Sequence, residues 1–334
     1  MAQFRRDPII GQWVIVHTNE SWGPESYREE KHHFKQTATC QFCPGREYLT
    51  PPELDAVRAL DSGWKVRVVP NKFPALKIEG NIDAARRGLF DFSNGIGAHE
   101  VVIETQDHLR NNLSDLTREE IFDVIEKYQS RSIDLTKDRR FKYIIIFKNY
   151  GESAGTTVEH GHSQIIALPM IPKYVLEELR GAEAYFKKNN RCVFCDMIAQ
   201  EYQDKERIVI ENDFFIAFCP FVPRYPFECW ILPKKHTSDF TLITDEEQRG
   251  LSGILKEVLT RLKKCLSDPS YNFYFHIPPI NCEGQEANDL LSHFHWHMEI
   301  VPKLTQTSGF EWGTGFYVVR TAPHLAAQYL RDIP

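Results

Sequence analysis

The stretch Glu159-His160-Gly161-His162-Ser163-Gln164-Ile165-Ile166-Ala167-Leu168-Pro169 sets two imidazoles and an amide at alternate positions. In an extended strand successive side chains point to opposite faces, so His160, His162 and Gln164 share one face while Gly161 and Ser163 share the other. Histidine can attack a phosphoryl centre and form a covalent intermediate, which splits one displacement into two easier ones. A neighbouring amide can donate a hydrogen bond to the transferring phosphoryl oxygen without giving up a proton. Just upstream, Asn149-Tyr150-Gly151-Glu152-Ser153-Ala154-Gly155-Thr156-Thr157 is a loop of small residues that can bring backbone N–H groups close to a phosphate.

Four of the eight cysteines fall in two C-x-x-C pairs, Cys40/Cys43 and Cys192/Cys195. In a reducing compartment such pairs point to metal or redox chemistry. Each half also offers a histidine that ends a strand and a histidine in the paired motif. The resulting quartets are Cys40, Cys43, His108 and His160, and Cys192, Cys195, His236 and either His293 or His295. A Cys2His2 tetrahedron is a structural zinc site, closed to substrate, and ties distant segments together. Redox dithiols or ordinary buried cysteines are the alternatives, and the repetition in register favours two zinc sites. If zinc holds His160, the strand is fixed and His162 projects beside the small-residue loop. Cys219, Cys229, Cys265 and Cys282 lack metal spacing and read as core or surface thiols.

The elements that must position these groups occur twice. In the first half, Asp7 to Val16 reads as a turn into a strand, Thr18 to Gln36 as a polar loop, Cys40 to Gly45 as a knuckle, Trp64 to Val69 and Glu100 to Glu104 as strands, and Glu79 to Asn94 as loop. Thr117 and Glu120 form a capping box ahead of a helix carrying Ile121, Val124, Ile125 and Tyr128 at helical spacing, and Lys142 to Lys148 is a strand. The second half repeats the order: a knuckle at Cys192 to Cys195, strands at Phe214 to Cys219 and Cys229 to Leu232, a box at Thr244 and Glu247, a helix through Leu251, Ile254, Leu255, Val258 and Leu259, a strand at Asn272 to His276, and His293 to Pro302. Aligning Pro302 with Pro169 sets His293 over His160, His295 over His162 and His297 over Gln164. The expected fold class is α+β: two tandem domains, residues 1–175 and 176–334, each an antiparallel sheet with a packed helix, arisen by duplication.

At 334 residues the chain can bury a sizeable core. Its net charge of -6 argues against coating nucleic acid or an anionic membrane, since both need a cationic field. The N-terminus lacks the apolar run of a signal peptide and no stretch approaches a bilayer span, so the expected compartment is the cytoplasm.

The H-x-H-x-Q motif, Gly155-Thr156-Thr157 and the two quartets together resemble the galactose-1-phosphate uridylyltransferase branch of the histidine-triad superfamily. The resemblance runs from Asp7-Pro8 to Phe310-Glu311-Trp312-Gly313-Thr314-Gly315 and is specific at Cys40/Cys43, Asn71-Lys72-Phe73-Pro74, Phe147-Lys148-Asn149, His160 to Gln164 and Tyr225-Pro226-Phe227-Glu228. It implies two tandem histidine-triad-like domains and a ping-pong nucleotidyl transfer, in which His162 attacks the α-phosphorus of a nucleotide sugar, a hexose 1-phosphate leaves, and a second phosphate acceptor takes the nucleotide. It also implies that Gln164, which stands where hydrolytic relatives carry a third histidine, favours transfer. Asn71, Asn149, Gly155, Thr156, Thr157 and Gln164 would contact the nucleotide or its phosphates, Glu311 would lie near the sugar, and the chain would form a homodimer. Two activities fit the resemblance: UDP-glucose with galactose 1-phosphate, ranked first, and ADP-glucose with inorganic phosphate. Hydrolysis and a zinc-stabilised nucleotide-binding module rank lower. For the second quartet the repeat alignment points to His293 and the family pattern to His295, and we take His295. The chain departs from the family at His17 to Pro24, where members usually carry Ser-Pro and an arginine-rich run.

Overall fold

The computed structural model describes residues 1–18, 22–27, 39–59, 63–282, 284, 289–290 and 292–334. Most of the polar loop expected from Thr18 to Gln36 lies outside these residues. The strands in chain order are β1 (Ala2–Arg6), β2 (Trp13–His17), β3 (Asp55–Arg58), β4 (Trp64–Pro70), β5 (Ala85–Arg87), β6 (Phe90–Phe92), β7 (Ala98–Ile103), β8 (Tyr143–Tyr150) and β9 (His162–Leu168). They continue with β10 (Ile208–Glu211), β11 (Phe215–Phe218), β12 (Cys229–Pro233), β13 (Tyr271–His276), β14 (His297–Pro302) and β15 (Tyr317–Val319). The four longer helices are α1 (Arg118–Leu135), α2 (Lys173–Asn189), α3 (Val193–Asp204) and α4 (Asp245–Cys265).

Ten strands form one sheet in the order β10-β11-β12-β14-β13-β8-β9-β7-β4-β3, with every pairing antiparallel. The order is a palindrome of the two halves, because β3, β4, β7, β9 and β8 correspond to β10, β11, β12, β14 and β13. The halves meet where β8 pairs with β13 from Phe147 opposite Tyr274 to Tyr150 opposite Tyr271. Phe147 also sits opposite Gln164, and Tyr274 opposite Glu299, so Phe147 and Tyr274 are equivalent positions facing each other at the centre of the sheet.

Both capping boxes form, Thr117 with Glu120 ahead of α1 and Thr244 with Glu247 ahead of α4. Each satisfies two backbone N–H groups that a helix start leaves orphaned. The apolar stripes of α1 and α4 cover one face of the sheet, and residues from both halves join a single buried cluster. Tyr128 on α1 donates to Ser163 Oγ at 2.7 Å. That contact puts α1 on the Ser163 side of β9 and leaves the side of His162 and Gln164 uncovered by it.

A second, three-stranded sheet joins β1, β2 and β15, with β15 parallel to β2. The expected division at 175/176 falls within α2. Residues 79–94, read from sequence as loop, contain the hairpin of β5 and β6. Its strands are three residues each and fully exposed, too short for an alternating pattern to stand out. The second C-x-x-C is not a knuckle: Cys192 is the N-cap of α3 and Cys195 lies in its first turn. No helix among the described residues is long and apolar enough to cross a membrane.

Candidate active site and metal centres

The first quartet closes around one point. Cys43 Sγ lies 3.6 Å from His108 Nδ1 and 3.6 Å from His160 Nδ1, Cys40 Sγ is 3.7 Å from His160 Nδ1, and the two Nδ1 atoms are 3.3 Å apart. A tetrahedron with ordinary Zn–S and Zn–N bonds has S···N edges of about 3.6 Å and N···N edges of about 3.3 Å. His160 Nε2 donates to the Thr105 carbonyl at 2.7 Å, which leaves Nδ1 with its lone pair toward the cluster. Burial pushes the Cys43 thiol up to about 11, so capture of a metal here would release protons.

The second quartet is Cys192, Cys195, His236 and His295. Cys195 Sγ lies 3.4 Å from His236 Nδ1 and 3.6 Å from His295 Nδ1, and His295 Nε2 pairs with the Pro233 carbonyl at 3.0 Å. His295 therefore repeats the bonding of His160, while His293 packs beside Phe186. This corrects the proline-based repeat alignment by two positions: His295 matches His160, His297 matches His162 and Glu299 matches Gln164. The prolines mislead because Pro302 ends β14, whereas Pro169 lies just beyond β9.

His162 opens β9, buried among Phe42, Lys148 and Gly161. His160 precedes the strand, so the expected row of three shrinks to His162 and Gln164, with His160 turned toward Cys40, Cys43 and His108. His162 Nδ1 donates to the His160 carbonyl at 2.8 Å, which fixes the tautomer with a bare Nε2. Burial, and then the charge of Lys148, lower its pKa to about 4, so the ring is neutral at pH 7.

The two amides are oriented in the same manner. The Ala75 N–H donates to His99 Nδ1 at 3.1 Å, so His99 carries its proton on Nε2 and donates it to Gln164 Oε1 at 2.7 Å. Gln164 thereby keeps its NH2 group for another acceptor. Asn272 Nδ2 donates to Asn149 Oδ1 at 2.8 Å and to the Ala154 carbonyl at 2.9 Å, so Asn149 also keeps its NH2 group free to donate. Asn71 Nδ2 lies 3.5 Å from Gln164 Oε1. Gly155 is left-handed with φ 87°, Thr156 after it lines the same cavity as His162, and Thr157 is not among that cavity's lining residues. A side chain on Gly151, itself at φ 82°, would come within 2.1 Å of Ser270 Oγ.

Glu311 is not part of this cluster. It lies in the short helix Gly309–Thr314, where its carboxylate caps Ser308, and Gln12 ties the end of that helix to β2 through the Gly315 carbonyl. Sequence reasoning also missed His99, Glu104 and Asn272, since each acts through a partner distant in sequence.

In the second half the equivalent place is filled with charge. Glu299 replaces Gln164 and is bonded to Arg224 and Tyr274, and His276 stands at the position of Asn149. His276 Nδ1 lies 2.7 Å from Glu178 and its ring stacks on His297 at 4.5 Å. Burial opposes the charge on His276, but Glu178 and Glu299 raise its pKa to about 10. The place of the Gln164 amide is thus taken in this copy by a carboxylate already engaged by Arg224 and Tyr274, which as an anion has no N–H or O–H to donate.

The galactose-1-phosphate uridyl transferase N-terminal domain model matches residues 1–172, and the C-terminal domain model matches residues 178–310. The chain belongs to the galactose-1-phosphate uridylyltransferase family. It is 34% identical to ADP-glucose phosphorylase of Arabidopsis thaliana over 99% of this chain and 93% of that one. It is 29% identical to galactose-1-phosphate uridylyltransferase of Thermotoga maritima over 99% and 98%. The crystal structure of the Arabidopsis thaliana ADP-glucose phosphorylase with bound ADP-glucose superposes with a TM-score of 0.83 over the whole of both chains, at 34% identity. A uridylyltransferase structure superposes at 0.76 and 27% identity, over 99% of this chain and 97% of that one. The family's relatives are named as uridylyltransferases and a phosphorylase, and the chain is a nucleotidyltransferase.

Proposed function

We propose that the chain transfers a nucleotidyl group from a nucleotide sugar through a covalent intermediate on His162. The observation that carries this reading is the fixed tautomer of His162, whose ring shares one face of β9 with Gln164 and one cavity with Asn149, both amides having their NH2 groups free. The Nε2 lone pair forms the N–P bond as the bond from the α-phosphorus to the bridging oxygen breaks, and the sugar 1-phosphate leaves with that electron pair. An oxygen of the acceptor phosphate then takes the nucleotide and restores the lone pair. Gln164 and Asn149 donate to the oxygens on which charge develops. Asn71, Gly155, Thr156 and Thr157 line the approach of the phosphates.

Each quartet holds a zinc ion in this reading. The first supplies rigidity at the base of the nucleophile's strand, and the second does so for the other half.

Sequence alone ranks UDP-glucose with galactose 1-phosphate first. The 34% match along 99% of the chain to an ADP-glucose phosphorylase reverses that order in favour of ADP-glucose with phosphate. The uridylyl reading stays second, on the 29% match to a uridylyltransferase over 99% of the chain. The reading includes cytoplasmic location, a duplicated two-domain origin and a homodimer.

The test is to incubate the protein with ADP-glucose or UDP-glucose labelled at the α-phosphate and isolate the protein. A label lost in His162→Ala supports the mechanism, and no label with either donor refutes it. Release of glucose 1-phosphate with phosphate or galactose 1-phosphate as acceptor separates the two activities.

A further inference from the structure

The ladder between β8 and β9 ends at Phe147 opposite Gln164. In the second half the matching ladder runs on, through Phe275 opposite Met298 and His276 opposite His297. The first half is thus open by two residue pairs, at the position of His162 itself. Lys148 bridges this opening from the helix-covered side, the side of Ser163 and Tyr128. Its Nζ donates to the His162 carbonyl at 3.1 Å and to Glu104 Oε2 at 2.6 Å, with both side chains about 1% exposed.

A buried ion pair is an expensive way to fill such a gap, since removing two charges from water can cost more than their attraction returns. The second half shows that the fold does without it. Lys148 corresponds there to the buried Phe275, and Glu104 falls at Leu232 or Pro233, both buried and uncharged. With apolar residues the ladder closes and the copy has no open nucleophile. The charged pair therefore accompanies the open site, not the sheet.

We propose that the buried Lys148–Glu104 pair is a positioning device, in which the Lys148 ammonium takes the place of the strand partner that the His162 peptide lacks. The Nδ1 bond to the His160 carbonyl holds the ring from one side, and the Lys148 bond to the His162 carbonyl holds its peptide from the other. The nucleophile stays fixed while the space a neighbouring strand would occupy remains open to the phosphates. Lys148 does not touch substrate. The inference rests on the reading that His162 is the nucleophile.

The experiment compares wild type, Lys148→Met/Glu104→Gln and Lys148→Arg in single-turnover labelling with ADP-glucose or UDP-glucose, whichever labels the wild type. Metal content and thermal melting of each variant are measured alongside. The double variant removes both charges together, and the arginine variant keeps the pair but cannot reproduce the single-point bridge. The expected result is folded protein with wild-type metal content, a donor concentration dependence within about twofold, and labelling slowed by about 10- to 100-fold, the scale of a misplaced reacting group. Wild-type labelling rates in both variants overturn the inference. So does failure of both to fold, which makes the pair a structural element. Failure of the underlying reading looks different, since the wild type itself then carries no label.

Discussion

His99 Nε2 lies 2.7 Å from Gln164 Oε1, and this bond, with a longer one of 3.5 Å from Asn71 Nδ2, sets which end of the Gln164 amide faces the site. Its partner on the other ring nitrogen, the Ala75 N–H, fixes the proton on Nε2. Without His99, Gln164 keeps only the long Asn71 contact and is free to turn its carbonyl toward an incoming phosphate.

Replacing His99 by leucine frees the amide, and kcat should fall about 10-fold with both metals retained. Gln164→Glu copies the second half by putting a carboxylate where phosphate charge develops. Its kcat should fall by about 100-fold or more, the scale of losing one preorganised donor. Steady-state kinetics with the preferred donor check both, and a Gln164→Glu enzyme at wild-type rate would rule out a phosphate-facing amide.

The two halves should respond unequally to the same substitution. His162→Ala removes the nucleophile and should cost at least about 1,000-fold in kcat. His297→Ala, at the equivalent place, should leave kcat within about twofold while lowering the melting temperature through the buried space it creates. Equal losses of activity would mean that the second copy takes part in the reaction.

Metal content should report on the quartets separately. Wild-type protein should carry about two zinc ions, and Cys40→Ala and Cys192→Ala about one each. Both variants should melt earlier. Cys40→Ala should in addition lose nucleotidyl labelling, because His160 carries the carbonyl that holds His162 Nδ1. Elemental analysis with a labelling assay would detect the opposite pattern.

Acid should act on the start of α1. Partial burial alone would raise the Glu120 carboxyl, but Arg110 and the Thr117 cap lower it from 4.5 to about 2. A depressed folded-state pKa means that the unfolded chain binds the proton first, so this stabilisation is present above pH 4.5 and lost as the pH falls toward 2. Glu120 is partly exposed, so solvent screening keeps the effect small. Glu120→Gln keeps a side chain able to close the capping box but loses the Arg110 ion pair, so it should cost about 0.5 kcal/mol at pH 7 and progressively less as the pH falls toward 2. Denaturant titrations at the two pH values test the difference, and an equal cost at both would exclude the ionic contribution.

Much of this was legible because it rests on short-range pattern. The capping boxes, the alternating strands and the C-x-x-C pairs each span a few residues, and the physical cause lies within the span. The hairpin of β5 and β6 escaped because three exposed residues per strand carry no burial signal. The repeat register was misread because a shared proline is a weaker marker than a shared hydrogen bond, here His160 Nε2 to Thr105 and His295 Nε2 to Pro233. His99, Glu104 and Asn272 gain their roles only when distant strands meet, and nothing near them in sequence distinguishes them from other polar residues.

Phe147 and Tyr274 face each other as equivalents, so the seam between β8 and β13 has the geometry of a symmetric dimer contact. A half-length protein ending before α2 would leave the outer backbone groups of Phe147 to Tyr150 bare, an edge that pairs readily with its own kind. Within one chain that pairing is intramolecular, so it does not depend on protein concentration. The two sides of the seam then need not stay alike: only the first leaves its ladder open beside His162, while the second runs on to His276 opposite His297.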